Sequence, residues 1–378
     1  MLSKTDLDLL RNFRSQSNPV VSVYLNTDGK AHSKKEVETR LRELSRPVRI
    51  QPEPEERREF HRQTIAEYQK IEDHIVKHYK EFNCRGLALF SCSAEDLWHE
   101  IELPRPPRDR VIVSDAPFIR PLQFQEVEYH PYCTVVLDRN SAKILLIYKG
   151  AIQETIRVIE EAPQRDRHSG RSDYGEERAH RKGGAQVGGH LKHVAEALFK
   201  LHQRQPLHWL ILGCKPEYLH EFEQTLHSYL RERVAAHLDL AVDTPDHEIL
   251  DRSLKIERSL VFKEHCRVVE KLQHTIQANG MAVSGLEQTL RYLNVQAVES
   301  LLVARDFQLP GVYCDRCHFL GILETVCPVS GDQMLETPDV VTLAIDRALN
   351  LNCEVQQVYE GVGMDKLGQI GAFIRYRL

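Results

Sequence analysis

No run of about 18 apolar residues occurs in the 378-residue chain, which leaves nothing to cross a membrane as a helix. The opening, MLSKTDLDLLRNF, lacks the apolar core and small-residue cleavage site of a secretory signal. Neither sign of charge dominates. Fifty Lys and Arg against 55 Asp and Glu give a net charge of −5, so the chain is no basic coat for nucleic acid. Any RNA contact must come from local patches. Nine scattered cysteines, an odd number, fit poorly with a complete disulfide framework, and a reduced, cytoplasmic protein is expected. The P-loop nucleotide motif is missing, and GVGMDKLG near Gly361 is not the dinucleotide fingerprint. Spacing alone nominates no Ser/His/Asp or Cys/His set, and there is no long repeat or low-complexity tract.

What remains is an ordinary globular composition, 42% hydrophobic and 28% charged, long enough for two or three domains. A short helix over residues 5–16 is followed by a strand, PVVSVYLNT. Helices are expected over about 30–44 and 54–82, the second with the Glu, Lys and Arg of a solvated face. RGLALFS and LWHEIELP read as a buried strand and its alternating neighbour. Prolines at 104, 106, 107, 117 and 121 mark a connection, with PFIRPL bridging into the next domain.

Beyond it, YCTVVLD and AKILLIYKG form a hairpin around Arg139, Asn140 and Ser141, and ETIRVIEE adds a third strand. Asp138 at this turn is there for turn chemistry, so pairing it with Asp251 as a metal site is declined. WLILGC is another buried strand, a helix follows over about 216–236, and LDLAVDTP returns as strand. Helix resumes near Asp246. Toward the end, SGLEQTLRYLNVQAVESLLVARD reads as helix, turn and strand, DVVTLAIDRALN as helix, and CEVQQVYE and GAFIRYRL as strands. Alternating helix and strand argue a mixed α/β (α+β) class in three domains, at 1–126, 127–276 and 277–378.

The stretch HRKGGAQVGGHLKHVAEALF, His180 to Phe199, joins two kinds of sequence. Between Pro163 and His193 fall six glycines, seven Lys or Arg, four Asp or Glu and four His. That mixture has no apolar periodicity and reads as an exposed excursion. From His190, Leu191, Val194, Leu198 and Leu201 recur on one helical face. A basic, glycine-rich tip on a packed helix suits insertion into a narrow anionic place, although an ordinary surface loop has the same composition. Cys314, Cys317 and Cys327 give C-x2-C-x9-C, with Ser330 where a knuckle would carry its fourth cysteine. Serine is a poor zinc ligand, His318 adjoins Cys317 too closely, and Cys353 would need to fold near. No cofactor is expected; zinc is the disfavoured alternative. Histidines such as His202 and His227 read as ordinary polar surface.

Taken in order, these segments resemble the bacterial relatives of the archaeo-eukaryotic class-1 release factor and Pelota family, the Balon-like branch of ribosome hibernation factors. PVVSVYLNT, RGLALFSCSAEDLWHEIELP and PFIRPL resemble that branch's N-terminal domain. CTVVLDRNSAKILLIYKG resembles the opening hairpin of the central RNase H-like domain. The glycine stretch and HLKHVAEALF stand where the release factors carry a GGQ loop and its helix. LRYLNVQAVESLLV and GQIGAFIRYRL are similar to the C-terminal domain, an α/β/α fold shared with kink-turn-binding ribosomal proteins.

The resemblance implies a monomeric, cytoplasmic ribosome-binding factor. It would occupy the A site in hibernation or stalling, with rRNA and tRNA as partners and a translational GTPase such as elongation factor Tu as a further one. Gly183, Gly184, Ala185 and Gln186 would reach the peptidyl-transferase centre. Arg181, Lys182 and Lys192 would neutralise phosphates, and His180, His190 and His193 would stack on bases or bond to riboses. No enzyme is expected, unless Gln186 serves a peptidyl-tRNA hydrolase or nuclease in ribosome rescue. Two departures stand out. Ala185 separates Gly184 from Gln186, moving the amide by up to ~3.5 Å along the chain. That spacing resembles the Vms-type peptidyl-tRNA-cleaving relatives. A TASNIKS-like codon-reading motif is also missing, which argues against stop-codon decoding.

Overall fold

The computed structural model describes residues 4–27, 33–50, 58–79, 82, 84–104, 106–123, 130–159 and 173–378. It is a mixed α/β chain with several sheets, in two compact units, residues 1–250 and 251–378.

The first unit opens with α1 (Lys4–Asn12), β1 (Val20–Asn26), α2 (Lys34–Ile50) and α3 (Arg58–His78). Then come β2 (Gly86–Cys92), β3 (Leu97–Leu103), β4 (Arg110–Ser114) and a short α4 (Arg120–Gln123). These strands form an antiparallel sheet in the order β3-β2-β1-β4. The unbroken apolar run of β1 has a simple cause: both its faces are covered. Val21, Val23 and Leu25 pack with Val37, Leu41, Tyr68, Ile71 and Ile75 of α2 and α3. Val20 and Tyr24 pack on the other side with Leu10, Phe90, Phe118 and Leu122.

Two expectations for this region are corrected. The proline-rich connection holds a strand, β4, whose RVIVS pairs with β1 from Arg110 opposite Tyr24 to Ser114 opposite Val20. The flanking prolines hid a five-residue β-branched segment. PFIRPL, expected as a bridge, closes the core instead: Phe118, Ile119 and Leu122 are buried in it. Tyr24 donates its hydroxyl to the Phe118 carbonyl at 2.6 Å, and the Phe118 amide donates to Ser22 Oγ at 2.9 Å.

The same unit carries a second sheet. Its elements are β5 (Tyr132–Leu137), β6 (Ser141–Tyr148), β7 (Ala151–Ile159), α5 (Asp173–Arg204) and β8 (Leu210–Gly213), then α6 (Pro216–Thr225), α7 (Ser228–Arg231) and β9 (Val234–Leu238). Strand order is β7-β6-β5-β8-β9, antiparallel through the hairpins and parallel from β5 to β8 and β9. The parallel pairs require crossovers, which the helices supply. The helix expected to reach Ala236 stops at Thr225. Leu226 turns extended, at φ −65° and ψ 141°, and Val234–Leu238 joins β8 as a strand. Strand pairing overrides the helical preference of the two alanines there.

The helix α8 (Asp246–Gln277) runs across the division between the units. The second unit continues with β10 (Ala282–Ser284), α9 (Leu286–Asn294), β11 (Val298–Ala304), β12 (Gly311–Tyr313), β13 (Leu320–Gly321), β14 (Leu335–Thr337), α10 (Val340–Asn350), β15 (Glu354–Val358) and β16 (Ile370–Ile374). The main sheet is ordered β10-β16-β11-β15, and a small one is β13-β12-β14. Asp339 caps α10, its carboxylate accepting from the Val341 and Thr342 amides. Among the described residues no helix is long and apolar enough to cross a membrane.

Candidate functional site

The expected stripe on α5 is observed. Leu191, Val194, Leu198 and Leu201 are all buried and pack with Cys133, Val135, Ile144, Leu146, Leu210 and Leu212. Each such side chain contributes about 1.5–3 kcal/mol relative to exposure, so this half of the helix is firmly anchored.

The helix does not begin at His190, as expected, but at Asp173. Glu176, Glu177, Arg178 and Ala179 are good helix formers and extend it backward. The glycines at 183, 184, 188 and 189 oppose this by about 0.8–1.0 kcal/mol each relative to alanine. Gly183, Gly184, Ala185 and Gln186 therefore share one helical backbone with the anchored stripe. The side chains of residues 173–187, with those of His180, Arg181, Lys182 and Gln186 among them, lie outside the described residues, as does the whole of 160–172.

His190 departs from its expected part as an RNA contact. It is fully buried, with neither ring nitrogen partnered among the described residues, and a ring in the core offers no face to a base. Asp138 behaves as its turn position implies, accepting from the Asn140 and Ser141 amides at 2.9 and 2.8 Å. Burial raises its carboxyl, but those amides, the Ser141 hydroxyl and the nearby His190 outweigh burial and hold it below the usual range.

Lys192 and His193 are exposed. Lys192 lines a cleft of about 400 Å³ together with Glu196, Phe199, Lys200, Gln203 and His227. His227, expected as polar surface, is exposed and lines this cleft. Its two walls lie far apart in the chain; only the helical recurrence of Lys192, Glu196 and Lys200 was legible beforehand.

In the second unit the three expected cysteines do converge, with all three sulfurs within 4.8 Å of one another. Cys317 and Cys327 are 3.3 Å apart, and Cys314 Sγ lies 3.2 Å from Ser330 Oγ. Burial pushes the Cys327 thiol up. The Ser330 hydroxyl, the Ser330 and Val329 amides and the Cys317 thiol more than reverse that, bringing it down to about 6. Burial also raises the Cys317 thiol. Cys353 is engaged elsewhere, its thiol donating to the Val298 carbonyl at 3.2 Å. Three thiols and a hydroxyl do not fit the closed four-ligand set of a structural zinc.

Fold and site together define a mixed α/β protein whose second sheet carries a long helix with a GGAQ sequence in its first half. Residues 117–258, which contain that sheet and helix, match the model of bacterial archaeo-eukaryotic release factor family 10. Peptide chain release factor subunit 1 of Thermococcus onnurineus is 25% identical over 342 residues, covering 80% of this chain and 82% of the relative. The same factor from Pyrococcus abyssi is 23% identical over 345 residues, with the same coverage. A structure of ribosome-bound archaeal Pelota and ABCE1 is 18% identical, covers 78% of each chain and has a TM-score of 0.42. Over residues 117–258 the chain is similar to the bacterial branch of the archaeo-eukaryotic release factors, and over four-fifths of its length to archaeal peptide chain release factor subunit 1.

Proposed function

We propose that this protein binds the ribosomal A site and extends α5 toward the peptidyl-transferase centre, holding ribosomes in a stalled or hibernating state rather than terminating at stop codons. One observation supports the reading: the release-factor match over residues 117–258 encloses Gly183, Gly184, Ala185 and Gln186, the stretch that resembles the release factors' GGQ loop. Ala185 is what turns it away from termination. On the helical backbone of α5 the extra residue shifts the Gln186 amide by about 1.5 Å along the axis and turns it by roughly 100°, which catalytic positioning tolerates poorly. Arg181, Lys182 and Lys192 supply a salt-sensitive attraction to RNA phosphates. A translational GTPase, of the kind elongation factor Tu represents, is the expected companion in delivery.

The test is co-sedimentation with ribosomes across a salt series, using wild type and Arg181→Ala/Lys182→Ala. Wild type should travel with ribosomes and the double variant should fall off at moderate salt. A wild type that stays in the supernatant at low salt sinks the reading.

The GxxQ spacing favours a second reading, a peptidyl-tRNA hydrolase or nuclease in rescue, with Gln186 orienting the attacking oxygen. Peptide release from programmed ribosomes separates the two. Release by wild type that Gln186→Ala abolishes makes the protein an enzyme; binding without release leaves it a plug.

A further inference from the structure

We propose that Cys317 and Cys327 form a dithiol that a hydroperoxide closes to a disulfide, locking the small sheet of the second unit. The two sulfurs lie 3.3 Å apart, with Cys314 in the same cluster. A disulfide needs about 2.05 Å, so closure asks for a movement of only about 1 Å. The device stands whether or not the chain meets a ribosome.

Two turns of the same build carry the pair. The Cys314 carbonyl accepts from the His318 amide at 2.8 Å, and the Cys327 carbonyl from the Gly331 amide at 2.9 Å. Each turn ends on a left-handed residue, His318 at φ +56° and Gly331 at φ +76°. The first turn joins β12 to β13, and the second lies between β13 and β14. A covalent bond between them therefore ties the β12-β13 hairpin to the segment that enters β14. The first turn is already fixed to the body of the unit. Arg347 of α10 donates to the carbonyls of Cys317 and His318, and the Asn294 side chain pairs with the Leu320 amide and carbonyl at 3.0 and 2.7 Å. Closure accordingly pulls on the Cys327 turn, whose neighbours Val326 and Val329 are exposed.

Cys327 is the nucleophile. Burial raises its thiol, but the bonds from Ser330, Val329 and Cys317 bring it down to about 6, so at neutral pH it is mostly thiolate. Burial pushes the thiols of Cys84, Cys92, Cys133, Cys214 and Cys353 up, which keeps them protonated there. Cys327 is only 2% exposed, while Cys317 beside it is partly open to water. That admits a small hydroperoxide and disfavours a bulky oxidant such as oxidised glutathione. The Cys327 thiolate attacks one peroxide oxygen: the S–O bond forms, the O–O bond breaks, and hydroxide leaves, taking a proton from solvent. Cys317 then gives up its proton and attacks the Cys327 sulfur. The S–S bond forms, the S–O bond breaks, and hydroxide leaves with that proton as water. Two thiols are oxidised and one peroxide is reduced to water. An external dithiol reverses the bond by exchange.

The test uses the full chain, reduced, freed of reductant and kept in chelator. Hydrogen peroxide should remove two of its nine thiols, and peptide mass mapping should find Cys317 joined to Cys327. The rate of thiol loss should climb as pH rises through about 6, where Cys327 ionises. Cys317→Ser should stop at a sulfenic acid on Cys327 that dimedone captures. Cys327→Ser should give neither a bridge nor a captured acid on Cys317, and Cys314→Ser should close normally. Hydrogen exchange of β12, β13 and β14 should slow on oxidation and recover with dithiothreitol. A wild type that keeps all nine thiols in excess peroxide overturns the proposal, as does a bridge that joins Cys314 instead. A bridge that leaves exchange in the small sheet unchanged overturns the lock, and equally fast closure by oxidised glutathione overturns the hydroperoxide as its oxidant. The wild type alone decides the bridge, so a variant that fails to fold does not blunt the test.

Discussion

Tyr359 donates its backbone N–H to Nδ1 of His265 at 3.2 Å, and the two rings meet edge-on with centroids 4.7 Å apart. This contact ties α8 to the end of β15 within the second unit. Burial, with Arg305 adding to it and Glu264 opposing it, lowers His265 from 6.5 to about 4. Between those values the unfolded chain binds the proton and the folded chain does not. Stability from this histidine is therefore complete above about pH 6.5 and is lost as pH falls toward 4. His265→Asn, which keeps an acceptor for the Tyr359 amide, should flatten that limb. Denaturant melts from pH 7 to 4 check it, and equal slopes for the two proteins contradict it.

A second prediction concerns Asp109. One of its oxygens accepts from the Asn26 amide at 2.6 Å, and the other meets the Arg40 guanidinium at 2.5 and 2.7 Å. Arg40 also donates to the Asn26 carbonyl, so the three residues close the end of β1 against α2. The pair is only about one-fifth exposed. Asp109→Ala should cost about 1–3 kcal/mol, since the Arg40 guanidinium loses its ion pair and the Asn26 amide loses this carboxylate acceptor. Urea unfolding measures it; a loss within a few tenths of a kcal/mol argues that the contact is incidental.

For the cysteine cluster, Ser330→Cys puts a fourth sulfur beside Cys314. Zinc should then raise the melting temperature of the variant, by binding only the folded chain, and leave wild type unmoved. Thermal shift with zinc and with a chelator reads this out. An equal rise in wild type shows that three thiols suffice.

Gly311 offers a packing test. A Cβ there would come within 2.7 Å of both the Gly321 carbonyl oxygen and Val340 Cβ. Backbone on one side and α10 on the other leave nowhere to move. Gly311→Ala should destabilise the chain by about 1–3 kcal/mol through overpacking, with the small sheet β13-β12-β14 as the affected part. Hydrogen exchange should rise there first; an unchanged melt removes the claim.

How much could be read in advance follows the range of the forces. The stripe at Leu191, Val194, Leu198 and Leu201, the buried run of β1 and the turn at Asp138 rest on neighbours a few residues away, so the sequence alone determined them. The order of its segments also determined the relationship to the release factors. Tertiary structure decided everything that depends on distant partners. β4 is a strand because β1 accepts it, and Val234–Leu238 because β8 does. His190 is buried once the unit folds, and His227 becomes half of a ring stack because α7 brings it to Phe199. Cys314, Cys317, Cys327 and Ser330 were visible as a spacing, but only folding made Ser330 the hydroxyl partner of a sulfur cluster. Ala185 needed no structure to be noticed, but the helix decided what it does: along α5 one extra residue is a rise of about 1.5 Å with a turn about the axis, not an extended step of about 3.5 Å.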